Sequence, residues 1–167
     1  MSRAKGMLGF VSALSGASLA LFGLISLAMA ALGWSLAGFL VGVALIAHGS
    51  IELGARSQFF AQGSERFLWR LFWNQIALAV SVGTYIGWQL WIFDPEAVAT
   101  VLDEPSVQEL LSLYPAETAQ MLRDNLPGYV RAVYVLALTI AALGCVGMAF
   151  YYLNKGRAWL ERGEEPS

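Results

Sequence analysis

Long apolar runs dominate the chain, and polar or turn-forming residues interrupt them at only a few places. Four runs, at about 8–32, 34–53, 67–93 and 130–153, carry very little charge. Each reaches the ~20 residues an α-helix needs to cross a ~30 Å hydrocarbon core. The runs are continuous, whereas the strands of a membrane barrel alternate between lipid-facing and lumen-facing residues. The pattern therefore predicts an all-α integral membrane protein, a four-helix transmembrane bundle forming a single membrane domain. Only Gly33 and its neighbours separate the first two runs, so these should form a tight antiparallel hairpin. Pro95, Pro105, Pro115, Pro127 and Pro166 all fall outside the expected spans, which should then be unbroken helices.

The first run has some features of a signal peptide. Arg3 and Lys5 precede it, and Ala28-Met29-Ala30 fits a cleavage site. The apolar region of a signal peptide is about 7–15 residues, however, and this run is nearly twice that. It is read as an uncleaved first span.

Composition agrees with lipid as the solvent. The 167 residues are 57% hydrophobic and 13% charged, against about 45–50% and about 25% in soluble domains. A chain this short has too little interior to hide the surplus from water. The net charge of −2 and the scattered basic residues give no footprint for nucleic acid. A single cysteine, Cys145, excludes an intramolecular disulfide and a CxxC redox pair.

Basic residues orient the spans. Arg3, Lys5, Arg56, Arg66, Arg70, Lys155, Arg157 and Arg162 fall on one side of a four-span arrangement, leaving Arg123 and Arg131 on the other. The excess of Lys and Arg marks the cytoplasmic side, so both termini are expected to be cytoplasmic in a multi-pass protein of a plasma or inner membrane. Aromatic residues at both ends of the runs, such as Trp34, Trp88 and Trp91 against Trp69, Trp73 and Trp159, match interfacial belts.

The stretch at about 94–129 differs in kind, holding seven of the twelve acidic residues. Prolines 95, 105 and 115 recur every ten residues, and proline is favoured in the first turn of a helix. Asp94 reads as an N-cap, and Ser106 with Glu109 as a capping box. Two or three short amphipathic helices are expected, capping the bundle on its extracytoplasmic side.

Small residues at four-residue spacing let helices approach closely in lipid. Gly38 and Gly42 form a GxxxG in the second run, with Gly49 a heptad beyond Gly42, and Gly83 and Gly87 recur in the third. These are the expected helix-packing glycines.

Polar side chains inside a span need partners. His48 and Glu52 lie four apart in the second run, and Arg70 and Asn74 four apart in the third, with Gln75 adjacent. Their depths match, so a Glu52–Arg70 ion pair with His48 and Asn74 nearby is geometrically possible. The cluster reads either as structural hydrogen bonding or as a proton or ion site.

No motif for chemistry is present. The chain lacks a P-loop, a GxSxG, an HExxH and a Rossmann glycine pattern. No catalytic residue, metal site or cofactor is expected, and His48 with Glu52 offers too few ligands for a metal. The leading expectation is a scaffold or accessory subunit, in contact with the lipid bilayer and forming a homo-oligomer or part of a membrane-protein complex. The alternative is a homo-oligomeric ion or proton channel, or a small-solute transporter, using the polar cluster. A membrane enzyme or redox protein is a third reading and would need a cofactor that no residue pattern announces.

Overall fold

The computed structural model describes residues 3–161, and side chains from Met7 onward except that of Ala99. Arg162 and Pro166 lie outside the described residues, as do the side chains of Arg3 and Lys5. Six helices follow in order: α1 (Arg3–Gly33), α2 (Leu36–Gln62), α3 (Glu65–Trp91), α4 (Pro95–Val101), α5 (Pro105–Leu111) and α6 (Ala116–Leu160). No strand occurs among the described residues.

Three helices, α1 from Met7, α2 and α6, are long and apolar enough to cross a membrane. They suggest a membrane-embedded protein. α3 matches α2 in length, but Glu65, Arg66, Arg70 and its amide side chains lower its hydropathy. Large apolar side chains stay uncovered along α1 and α6, Phe10, Phe22 and Leu143 each being more than half exposed. Uncovered apolar surface on this scale is expected where lipid or a partner lies against it.

The chain divides into two compact units. The first comprises Met1–Val82 and Ala141–Ser167, the second Gly83–Ile140.

In the first unit, α1 and α2 form the expected hairpin at backbone-to-backbone distance. A Cβ on Gly16 would lie 3.2 Å from the Gly49 carbonyl, and one on Gly49 2.6 Å from the Gly16 carbonyl. Gly23 and Gly42 form a second reciprocal pair, with Cβ-to-carbonyl distances of 2.8 and 2.9 Å. Both pairs repeat at seven residues, the spacing that holds one seam of a helix against its partner. The register extends to both ends of the hairpin. Arg56 Nε donates to the Gly9 carbonyl at 2.8 Å, and the Ser35 N–H donates to the Ala30 carbonyl at 3.0 Å.

That last bond is the six-to-one bond of a Schellman C-cap. Its left-handed residue is Trp34, at φ 50, and not the preceding Gly33. Ser35 then caps α2, its hydroxyl accepting from the Gly38 N–H at 3.1 Å. At the far end of α2, Gly63 adopts φ 61 and its N–H donates to Phe59 O at 2.9 Å, permitting a two-residue turn into α3.

The apolar core of the first unit gathers beside that turn. Phe59, Leu68, Leu71, Tyr152 and Trp159 are its largest fully buried apolar members. The Phe59 and Trp159 rings pack with centroids 5.0 Å apart, and Phe60 meets Trp159 edge-on at 5.9 Å. Gly156 lets α6 settle on Leu68, whose Cγ lies 2.9 Å from where a Cβ would stand.

In the second unit, α4 begins as expected, with Asp94 Oδ1 accepting from the Glu96 N–H at 2.9 Å. The expected capping box does not form. Glu104 occupies the N-cap position of α5 and makes no side-chain cap bond. Pro105 presets helical φ at the first turn, so the helix starts before Ser106 can cap it.

The boundary near residue 130 also moves. α6 is one 45-residue helix that contains Pro127. Proline removes one i→i−4 bond and crowds the preceding turn, but helix-forming sequence continues on both sides and carries the helix through. The third expected short helix is therefore the first part of α6.

Candidate functional site

The polar residues of α2 and α3 sort into two groups, both within the first unit. The first is dry. Glu52, Gln75 and Tyr152 are 0%, 2% and 0% exposed. Gln75 Nε2 donates to Glu52 Oε2 at 2.8 Å, and the Tyr152 hydroxyl donates to Glu52 Oε1. Both carboxyl oxygens thus accept from neutral donors on two other helices. An isolated buried carboxylate is very costly in an apolar interior, and charge-assisted hydrogen bonds are the strong ones that offset such a cost.

The second group centres on His48 and lies half in the open. Asn74 Nδ2 donates to the His48 backbone carbonyl at 3.1 Å, which turns its Oδ1 toward His48 Nδ1 at 2.9 Å. This amide orientation, assigned from its two bonds, requires a proton on Nδ1. On the other side of the ring, Nε2 lies 3.3 Å from the Ser81 hydroxyl, which donates to Ala77 O at 2.9 Å. With its one proton directed to Ala77, Ser81 can only accept from Nε2. All these bonds coexist when the imidazole carries both protons. A neutral ring with its proton on Nδ1 needs the Ser81 hydroxyl to rotate toward it.

Arg70 joins neither group at Glu52. It is exposed, with one 3.4 Å bond to Gln58 Oε1. The Glu52–Arg70 ion pair that matching depths allow is not formed. Helical phase is the reason. Within the first unit, the buried positions of α3 are Phe67, Leu68, Leu71, Asn74, Gln75 and Leu78, the stripe expected of a packed helix face. Arg66, Trp69, Arg70 and Trp73 occupy the opposite, exposed side. Matching depth along α2 and α3 was not enough; the angle about the axis selects Gln75.

The expected cluster is thus divided, with Glu52 and Gln75 in the dry group and His48 and Asn74 in the other. Arg70 stands with His48 and Asn74 along an open groove of about 660 Å³, also lined by Arg66, Trp69 and Trp73. Tyr152 is the site residue that sequence reasoning missed, because an aromatic ring near the end of an apolar run reads as an interfacial anchor. Its signal lay in α6, where Ala149, Leu153, Gly156 and Trp159 share its buried face at helical spacing.

The packing glycines divide as well. Gly42 takes part in a reciprocal pair, and a Cβ on Gly38 would lie 3.1 Å from Ala30 Cβ. Gly83 would make only an ordinary 3.7 Å contact with Leu138, and Gly87 faces open space. Neither brings helices together at backbone distance.

Among the described residues, no three His, Cys, Asp or Glu side chains are placed to share a metal ion. The chain matches no protein-family model, no curated protein and no solved structure.

Proposed function

We propose that the chain is a four-span membrane scaffold or accessory subunit that associates with itself or with a larger membrane complex. The observation that carries this reading is the closed pairing of Glu52 with Gln75 and Tyr152. A conducting path needs polar groups that meet water or an ion, whereas these three side chains face one another in a dry interior. The pairing supports cohesion of the helices over a channel or transporter.

α3 is the fourth span in this reading. No Asp, Glu, Lys or Arg occurs from Leu71 to Trp91, and Trp69 and Trp73 stand at one end with Trp88 and Trp91 at the other, as interfacial anchors. Both termini are then cytoplasmic, and α4 and α5 belong to the extracytoplasmic cap. Association draws support from the uncovered small residues of α6. Gly144 and Gly147 have open space where a Cβ would stand, and they line an apolar groove of about 290 Å³ with Met7, Val11 and Met148.

Mild extraction followed by mass measurement of the intact particle tests the reading. A multimer or a stoichiometric partner is expected, and a bare monomer contradicts it. Accessibility labelling at the two termini tests the topology, with both expected to react from the cytoplasmic side only.

A further inference from the structure

The open groove between α2 and α3 has a composition unlike the rest of the first unit. Arg66 and Arg70 lie one turn apart near the start of α3, both exposed, and no carboxylate among the described residues lines the groove. The nearest acid in sequence, Glu65, is already engaged by Arg157 at 2.7 Å. Further along the same face the lining becomes apolar, with Trp73, Ala77 and Ile51. His48, braced by Asn74, stands at the same wall.

A groove that is cationic at the helix end and apolar deeper along the helix matches an amphiphile with an anionic head. We infer that this groove binds an anionic phospholipid, with the headgroup phosphate on Arg66 and Arg70 and the first part of an acyl chain along Trp73, Ala77 and Ile51. Guanidinium groups match phosphate oxygens in geometry and charge, and basic pockets beside membrane helices take such headgroups. A free phosphate would use the arginines alone and leave the apolar half of the groove empty. The inference rests on the membrane embedding proposed above, but not on the oligomeric state.

The test equilibrates the full chain in detergent with equal amounts of phosphatidylglycerol and phosphatidylcholine of matched chains, then reads retained lipid by native mass spectrometry. Preferential retention of phosphatidylglycerol is expected. Arg66→Gln with Arg70→Gln should lower that preference about thirtyfold, from the contribution of each basic residue near a membrane surface. Arg66→Lys with Arg70→Lys should keep much of it, and Arg131→Gln should leave it unchanged. Trp73→Ala should weaken retention of both lipids. The single Arg70→Gln variant provides the same readout with less perturbation of folding. Millimolar inorganic phosphate should not displace the lipid. Equal retention of the two lipids, an unchanged preference in the double glutamine variant, or displacement by inorganic phosphate overturns the site. A helical protein that holds no lipid of either class contradicts the membrane reading itself.

Discussion

The two units of this chain use similar residues to different ends. In the first, α1 and α2 meet through two reciprocal glycine pairs, and polar side chains from α2, α3 and α6 close on one another. In the second, only Ile86, Leu102 and Leu111 are buried apolar residues among those described. Its polar contacts sit nearer the surface: Gln108 donates to the Leu102 carbonyl at 2.7 Å and accepts from Arg123 Nη2 at 2.7 Å. Apolar composition alone therefore does not make a tight interior. In lipid, helices cohere where backbones can touch and where polar groups find partners, and the first unit has both.

The contrast can be tested first at the glycines, where the largest effect is expected. Gly49→Val places a Cβ against the Gly16 carbonyl and the Ala20 N–H, which are backbone and cannot fold away. Overpacking of this kind should cost about 3 kcal/mol or abolish folding. Gly87→Val meets nothing and should stay within about 0.5 kcal/mol of the parent. Both are read from helical circular dichroism during unfolding in mixed micelles. Equal effects at the two positions would remove the distinction between the units.

The polar pairing comes next. Glu52→Leu leaves the Gln75 amide and the Tyr152 hydroxyl buried without their acceptor, at a cost of about 2–4 kcal/mol. Glu52→Gln retains a carbonyl oxygen and should cost less. The corresponding change in the second unit, Gln108→Leu, affects only partly buried groups and should cost about 1 kcal/mol. The same unfolding experiment ranks all three variants.

Two smaller effects sharpen the picture. Trp34→Gly relieves a left-handed residue and should raise stability by about 1 kcal/mol, visible as a later unfolding midpoint. Arg70→Ala should change stability by less than about 0.5 kcal/mol, because its one bond is long and exposed. A large loss at Arg70 would point back to the ion pair with Glu52.

The sequence made the helices legible, because hydropathy over ~20 residues reports directly on burial in lipid. It made the α1–α2 hairpin legible through its short connection, although the turn uses Trp34 and not Gly33 for the left-handed position. The heptad of Gly16, Gly23, Gly42 and Gly49 was visible only in part, since a four-residue rule selects Gly38 with Gly42 and passes over Gly23. Pro127 suggested a boundary because a lost hydrogen bond is a local cost, while helix continuation depends on both flanks. The partner of Glu52 stayed open for a related reason. Depth along a span follows from counting residues, but which of two adjacent turns faces inward depends on the phase of the whole apolar stripe of α3.

Glu52 joins α2 to α3 and α6 through Gln75 and Tyr152 and does not pair with Arg70. A double-mutant cycle tests this pairing most directly, using unfolding free energies for Glu52→Leu combined with Tyr152→Phe and, in parallel, with Arg70→Ala. The first cycle should give a coupling of about 1–3 kcal/mol, and the second should be additive within about 0.5 kcal/mol. Additivity with Tyr152 together with strong coupling to Arg70 would contradict the account.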